Sequence, residues 1–335
     1  MSKSAILAIT PIKNVLELKD PFIFTAHHVD YYPAGNEELG PVHPPKNGEF
    51  SMYHGETVPG FPAHPHTGFE TISIVEQGYV DHFDSLGNSG RYSVGDTQWV
   101  TTGNGLEHCE MFPLVNTSKE NTLELFQIWL NSSPEQKKKD PEYKMFWKEQ
   151  IPYIIEENEI GFKSKVRVIS GHFRDTNAIS RPPYSWAAAD ENKVNIFLIQ
   201  LDAQAEIVVP ATSETSNRFC YFYQGDDLFI NGEKILVKHL VQLKPDEQIH
   251  LEAGSTEVRI LWLEGEPIGA PIAQYGPFVL NSNEELQEAF TRYRATGFGG
   301  WPWERPDPVF TRDIPRYSSY EGGKREEFPE KDFAD

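Results

Sequence analysis

Cysteine is nearly missing from this chain, which has Cys109 and Cys220 and no other among its 335 residues. No CxxC pair is possible, so neither a disulfide framework nor a zinc ribbon is available, and both thiols are expected to be buried. Positive charge is also short: Lys and Arg number 30 against 50 Asp and Glu, a formal charge of −20. The carboxylate excess repels phosphate backbones, and Lys137-Lys138-Lys139 is the one basic cluster, so direct nucleic-acid binding is not expected. Long apolar runs are absent as well. Stretches such as Ile196-Phe197-Leu198-Ile199 are too short for a membrane helix, and the apolar part of residues 1–10 is too brief for a secretory signal. A soluble, cytoplasmic protein is the expectation.

What is present is surface to bury. Hydrophobic residues make up 39% and aromatics 13%, which argues against disorder. At ~150 residues per domain the length suits two domains. Strand-like runs at 71–76, 79–84, 122–130, 166–170, 194–201, 219–223, 249–251 and 258–263 are separated by turn signals such as Gln77-Gly78, Gly95-Asp96 and Asn104-Gly105. Closely spaced strands of this kind predict antiparallel sandwiches or barrels, an all-β fold, rather than βαβ units. Residues 229–235 read as a hairpin, with Asn231-Gly232 supplying the positive φ angles of a type I′ turn.

Two places read as helical. Residues 133–150 are polar and interrupted by Pro141, which predicts a surface linker with helical turns. Ser282-Asn283-Glu284-Glu285 fits a capping box, leading into a run with Leu286, Ala289, Phe290 and Tyr293 on one face. Gly297 and the aromatic stretch to Trp303 end that helix. After Arg316 the tail is polar, and its last ~15 residues are expected to be mobile. The two halves read as divergent copies of one all-β unit, each with a strand reaching a Gly turn (Glu76-Gln77-Gly78; Tyr223-Gln224-Gly225). The expected organisation is a metal-binding domain over 1–140, a degenerate copy over 141–275, and a helix, aromatic loop and polar tail over 276–335.

The copies differ where chemistry would sit. His64 and His66, separated by Pro65, project to one face of an extended segment. The same parity places Glu70, Ile72 and Ile74 on that side, unless a bulge intervenes at Gly68. Downstream, His108 and Glu110 are again two apart, with Cys109 turned to the opposite face. Two such pairs on strands of one barrel, converging from opposite walls, offer three imidazole nitrogens and a carboxylate oxygen. The set suits Fe(II), Ni(II), Mn(II), Cu(II) or Zn(II), and an octahedral ion would keep two positions open. A single HxH is more often packing than ligation. Two pairs about 40 residues apart in one β framework argue for one divalent transition metal. Glu70 is open to two readings, a fifth ligand or neighbouring group and a salt-bridged carboxylate in the barrel wall. The remaining histidines read as structural or surface residues, with His54 the exception that sits near the HxH segment. In the second copy the corresponding stretch, 211–219, has no histidine and the later strand offers only His250, so one metal per chain is expected.

His64-Pro65-His66, Gly68-Phe69-Glu70-Thr71, Gly95-Asp96-x-Gln98-Trp99, Thr102-Gly103-x-Gly105 and His108-x-Glu110-Met111 resemble the pirin family of the cupin superfamily. Tyr275-Gly276-Pro277-Phe278 and Phe298 to Trp303 are similar to the C-terminal signature of its bacterial members. The resemblance implies a bicupin of two antiparallel β-barrels, with iron in the N-terminal one held by His64, His66, His108 and Glu110. Thr67 stands where many members have Arg, and the loop from Thr25 to His43 also departs from the usual pattern, which bears on substrate preference. The family implies a dioxygenase acting on quercetin or a similar flavonol with O2. Physically, a divalent ion acidifies the bound flavonol 3-hydroxyl, and Glu110, releasing the metal briefly, would take that proton as general base. Phe22, Phe24, Phe69 and Trp99 are candidates to line the cavity mouth, with core packing as the alternative for each. The family also implies a different class of role, a metal- or redox-responsive partner of other proteins, which the acidic surface suits. A cupin isomerase or sugar-binding protein is a third option, for which more polar and basic lining would be expected. A monomer is expected because two barrels already bury their sheet faces.

Overall fold

Strands dominate because short β-branched and aromatic runs are broken every few residues by glycine, asparagine and aspartate turns. The computed structural model describes residues 4–12, 15–43, 45–46 and 48–329. The chain divides into two compact units, one of Thr25–Glu149 with Ala270–Asp335, the other of Met1–Phe24 with Gln150–Gly269. The segment after 270 therefore groups with the HxH-bearing unit, and the first 24 residues group with the other, a division that a linear reading of the sequence does not draw.

The HxH-bearing unit is built on two large antiparallel sheets, with Ala273–Tyr275 and Phe278–Leu280 forming a small two-stranded one beside them in sequence. One orders Glu142–Phe146, Thr97–Thr101, Phe69–Gln77, Asn121–Asn131 and Phe22–Tyr32 side by side. The other orders Arg325–Glu327, Tyr317–Tyr320, Ser89–Ser93, Tyr79–Asp84, Leu106–Met111 and Gly60–His66. Val75, Val80, Tyr92, Val100, Leu106, Leu125 and Trp147 pack into a shared core, each large buried apolar side chain contributing roughly 1.5–3 kcal/mol. The predicted strands over 71–76, 79–84 and 122–130 fall inside strands Phe69–Gln77, Tyr79–Asp84 and Asn121–Asn131.

The expected polar linker over 133–150 is corrected. Only Gln136–Lys138 forms a helical turn, and Glu142–Phe146 is a strand paired with Thr97–Thr101. Pro141 precedes that strand rather than interrupting a helix, and Tyr143, Met145, Phe146 and Trp147 are buried. Alternation of these with Lys144 and Lys148 was the signal that the flanking charge obscured. The tail is corrected in part too: Tyr317–Tyr320 pairs with Ser89–Ser93 and Arg325–Glu327, while residues 330–335 lie outside the described ones.

The capping box behaves as expected. Asn283–Thr296 is the helix, the Glu285 N–H donates to Ser282 Oγ at 3.2 Å, and Gly297 closes the end with φ 55°. Its Leu286 and Ala289 pack against Phe278, Leu280 and Phe298. Among the described residues no helix is long and apolar enough to cross a membrane.

The other unit pairs a seven-stranded sheet with a four-stranded one ordered Glu206–Val209, Ile249–Ala253, Asp227–Ile230, Glu233–Leu236. That order matches Gly60–His66, Leu106–Met111, Tyr79–Asp84, Ser89–Ser93 in the first unit, as expected of divergent copies. Asn231 (φ 49°) and Gly232 (φ 80°) form the expected hairpin turn. The core is continuous and apolar, from Val166 and Phe197 through Cys220 and Phe222 to Ile260 and Trp262. At one end Arg218 and Glu264 are buried as an ion pair at 2.7 Å, with Trp262 also donating to Glu264.

Candidate metal centre

The strand Gly60–His66 lies antiparallel beside Leu106–Met111, with His64 directly opposite His108 and a register shift between Phe61 and His64. The two histidine-bearing segments thus converge from neighbouring strands of one sheet, not from opposite walls as the sequence reading had them. Directly opposed residues on antiparallel neighbours share a face, which is enough to bring the rings together. The donor atoms of His64, His66 and His108 all lie within 4.8 Å of one another. His66 and His108 are buried and His64 is half-buried, so the cluster opens on the His64 side.

Several features hold this backbone. The Val279 N–H donates to Thr67 O at 3.0 Å. Gly68 has φ +87°, and a Cβ there would meet the Val279 carbonyl oxygen at 1.9 Å, so only glycine fits. Lys137, read from sequence as part of a basic surface cluster, is buried instead. Its Nζ donates to the Gly68 and Val279 carbonyls and to Asn131 Oδ1. Nothing local in the sequence announces those distant acceptors.

His64 Nδ1 sits 2.8 Å from the Pro62 carbonyl, which fixes the proton on Nδ1 and leaves the Nε2 lone pair free. That Nε2 lies 3.1 Å from His108 Nε2. Neither ring nitrogen of the buried His66, nor Nδ1 of His108, makes a hydrogen bond. Burial, followed by the neighbouring His64, holds the His66 pKa well below the usual histidine value, the Pro277 carbonyl pulling the other way without completing a hydrogen bond. Burial and the adjacent His64, His66 and His82 do the same to His108. For His64 burial outweighs the Pro62 carbonyl and Glu110, and the pKa is again lowered. Three imidazoles kept neutral, with both nitrogens of His66 and Nδ1 of His108 left without a hydrogen bond, are costly unless something else satisfies those nitrogens. Two ligands about 2.1 Å from one ion at a right angle are about 3.0 Å apart, close to the His64–His108 spacing. The residues present fit a transition-metal ion.

Glu110 is placed differently. Its Oε2 is 3.9 Å from His108 Nε2, and its carboxylate does not join the group of mutually close donors. Glu70 points elsewhere, accepting from Trp99 Nε1 at 2.7 Å on the face of the sheet opposite Ser73 and Val75; the turn at Gly68 breaks the parity that would have aligned it with His66. Phe22 and Trp99 are core residues, and Phe24 is half-buried. Phe69 does reach the centre: it stacks on Trp129 at 4.1 Å and meets the His66 ring edge at 5.1 Å. His54 stands over Phe61, whose ring is 6.2 Å from His64. Cys109 is buried among Leu39, Val58, Phe83 and Met111, and burial pushes its thiol pKa up.

Sequence reasoning missed Trp129, Gln127, Ser73 and His82. His82 is buried, its ring 5.4 Å from that of His108, with Nε2 3.3 Å from Asp84. It lies two strands from the HxH motif and lacks paired spacing, so no linear signal marks it. In the other unit, the strands that match the histidine-bearing pair carry Ile207, Val209, Ile249 and Leu251 at buried positions. His250 faces outward and pairs with Glu206 at 2.9 Å. Among the described residues, His64, His66 and His108 form the one group of three or more His, Cys, Asp and Glu donors suited to a metal.

The family model "Pirin" matches residues 8–130, and "Pirin C-terminal cupin domain" matches residues 196–299. The Pseudomonas aeruginosa protein named "Putative quercetin 2,3-dioxygenase PA3240" is 34% identical over 247 residues, covering 71% of this chain and 79% of its own. The chain belongs to the pirin family. Arabidopsis thaliana Pirin-1 is likewise 34% identical, over 70% of this chain and 77% of its own length. Human pirin is 30% identical over 73% and 80% respectively. A crystal structure of quercetin 2,3-dioxygenase from Acinetobacter baumannii superposes with a TM-score of 0.71, at 22% identity, covering 88% of this chain and 98% of that one. The family's bicupin fold accounts for the two all-β units and for their matching strand order.

Proposed function

We propose that this pirin is a metal-dependent dioxygenase of the quercetin 2,3-dioxygenase type, with one divalent transition metal, iron foremost, held by His64, His66, His108 and Glu110. Ni, Mn, Cu and Zn are the alternatives that the donor set accepts. The observation that carries the reading is the convergence of three neutral imidazoles, two buried and one half-buried, of which the buried His66 has no hydrogen-bond partner at either nitrogen. The similarity to a bacterial relative named for quercetin dioxygenation supports the choice of substrate class.

When bound, the metal would make a coordinated flavonol hydroxyl more acidic and bring it together with dioxygen. The chain's own residues do the rest. His64, held by Pro62, presents Nε2 on the open side of the cluster. Phe69 and Trp129 wall the buried side and exclude water. Glu110, one of whose oxygens lies 3.9 Å from His108 Nε2, takes the proton of the flavonol hydroxyl on its carboxylate. The overall reaction consumes one O2, opens the flavonol ring and releases carbon monoxide, with both oxygen atoms entering the products. The protein acts in this reading as a cytoplasmic monomer.

The test is anaerobic reconstitution with Fe(II), followed by flavonol and O2. Loss of flavonol absorbance with matching carbon monoxide release is expected; no turnover with any first-row metal would overturn the enzyme reading. The second reading, a metal-responsive binding partner of other proteins, is favoured by the charge of −20. It requires a basic protein that binds only the metal-loaded form.

A further inference from the structure

Both oxygens of Glu110 are engaged by neutral donors. Ser73 Oγ donates to Oε1 at 3.1 Å and Gln127 Nε2 donates to Oε2 at 2.7 Å. The two donors are not independent: Ser73 and Gln127 are direct register partners on the adjacent strands Phe69–Gln77 and Asn121–Asn131. They form a two-pronged clamp in the sheet opposite the one that carries the histidines. The Gln127 amide is oriented in turn, because Trp129 Nε1 donates to its Oε1 at 3.2 Å, and Trp129 is fixed by stacking on Phe69. With its carbonyl oxygen occupied by Trp129, Gln127 presents its NH2 group to Glu110. Glu110, two residues from His108, lies outside the group of donors that the imidazoles form.

We propose that Ser73 and Gln127 are positioning residues that retract Glu110 from the three imidazoles, so that the carboxylate is an exchangeable fourth donor whose partition between metal and clamp is set by Gln127. The inference rests on the metal-binding reading above. A carboxylate that accepts charge-assisted hydrogen bonds from two fixed donors must give them up, or weaken them, to move onto an ion. Removing the donors removes that competition, so the carboxylate coordinates more fully. A retracted carboxylate leaves a coordination position open and keeps a base beside it, which a permanently ligated one would not.

The test uses the full-length protein with Co(II) as probe, measuring affinity by chelator competition and coordination by the visible absorption of bound Co(II). Gln127→Leu is expected to bind Co(II) about tenfold more tightly, similar in size but opposite in sign to the loss that removing a ligand's hydrogen-bond partner ordinarily brings. Its Co(II) band should lose intensity as the coordination number rises. Ser73→Ala should shift both readouts in the same direction by less. In a Glu110→Gln background, Gln127→Leu should have no effect on affinity, because the group it acts through is gone. Should Gln127→Leu fail to fold, Gln127→Met and Ser73→Ala carry the same comparison. Stoichiometric binding by the unsubstituted protein with unchanged affinity and spectrum in these variants overturns the clamp and leaves the metal site standing. An equal effect in the Glu110→Gln background also overturns it. Failure of the unsubstituted protein to bind Co(II) sinks the metal reading, and the clamp with it.

Discussion

His64 and His108 face each other across two antiparallel strands, with their Nε2 atoms 3.1 Å apart and no carboxylate between them. Burial holds both rings neutral, so the pair attracts a Lewis acid and repels a second proton. From that relationship, and from the retracted position of Glu110, several outcomes can be measured.

Glu110→Gln keeps a hydrogen-bonding side chain in place but removes the base. Metal binding should persist on the three imidazoles, while flavonol turnover falls by about 10²–10⁴-fold, the usual contribution of a positioned base. Parallel measurement of metal content and turnover separates the two. Loss of both together would show that Glu110 is needed as a ligand throughout.

Acid should destabilise the metal-free protein through its histidines. His28 is lowered to about 4 by burial, and His64, His66 and His108 are lowered as well. In the unfolded chain each titrates near 6.5. Below that pH the unfolded state binds more protons than the folded one, so stability is complete above about 6.5 and declines as pH falls; for His28 the decline continues to about 4. The slope is at most ~1.4 kcal/mol per pH unit for each histidine. Urea midpoints at pH about 7.5 and about 5.5 should differ accordingly; identical midpoints would refute the neutral, desolvated imidazoles.

How much of this was legible beforehand depended on whether the signal was local. The Asn231-Gly232 hairpin, the Ser282 cap and the i, i+2 histidines are all encoded within a few residues, and each lies where the sequence places it. The Glu142–Phe146 strand was hidden because Pro141 and the preceding lysines resemble a linker until the burial of Tyr143 and Met145 is seen. Ser73 and Gln127 meet Glu110 only after three distant strands come together, and Lys137 finds its acceptors 69 and 142 residues away. Hydrogen bonds closed over such separations leave no periodic trace.

Arg218→Met tests the unit that lacks the histidines. It removes the cation from a fully buried pair and strands Glu264, which also accepts from Asn195 and Trp262. A loss of about 3–5 kcal/mol is expected, read by urea denaturation. Arg218→Met combined with Glu264→Leu should recover most of it. A single substitution costing under about 1 kcal/mol would mean water already reaches the pair.

Gly68→Ala should disturb the centre without touching a ligand. Positive φ alone costs roughly 1–3 kcal/mol for a residue with a side chain, and the new methyl would collide with the Val279 carbonyl. A lower melting temperature together with weaker metal binding is expected. Unchanged metal affinity would show that Thr67 and Gly68 do not set the position of His66.

The most direct test is elemental analysis after anaerobic loading with Fe(II) and removal of excess, comparing the unsubstituted protein with His66→Ala. One iron per chain is expected in the first and a loss of affinity exceeding about 100-fold in the second, with unchanged far-UV circular dichroism. Full iron retention by His66→Ala, or no bound iron or other first-row metal in the unsubstituted protein, would contradict it.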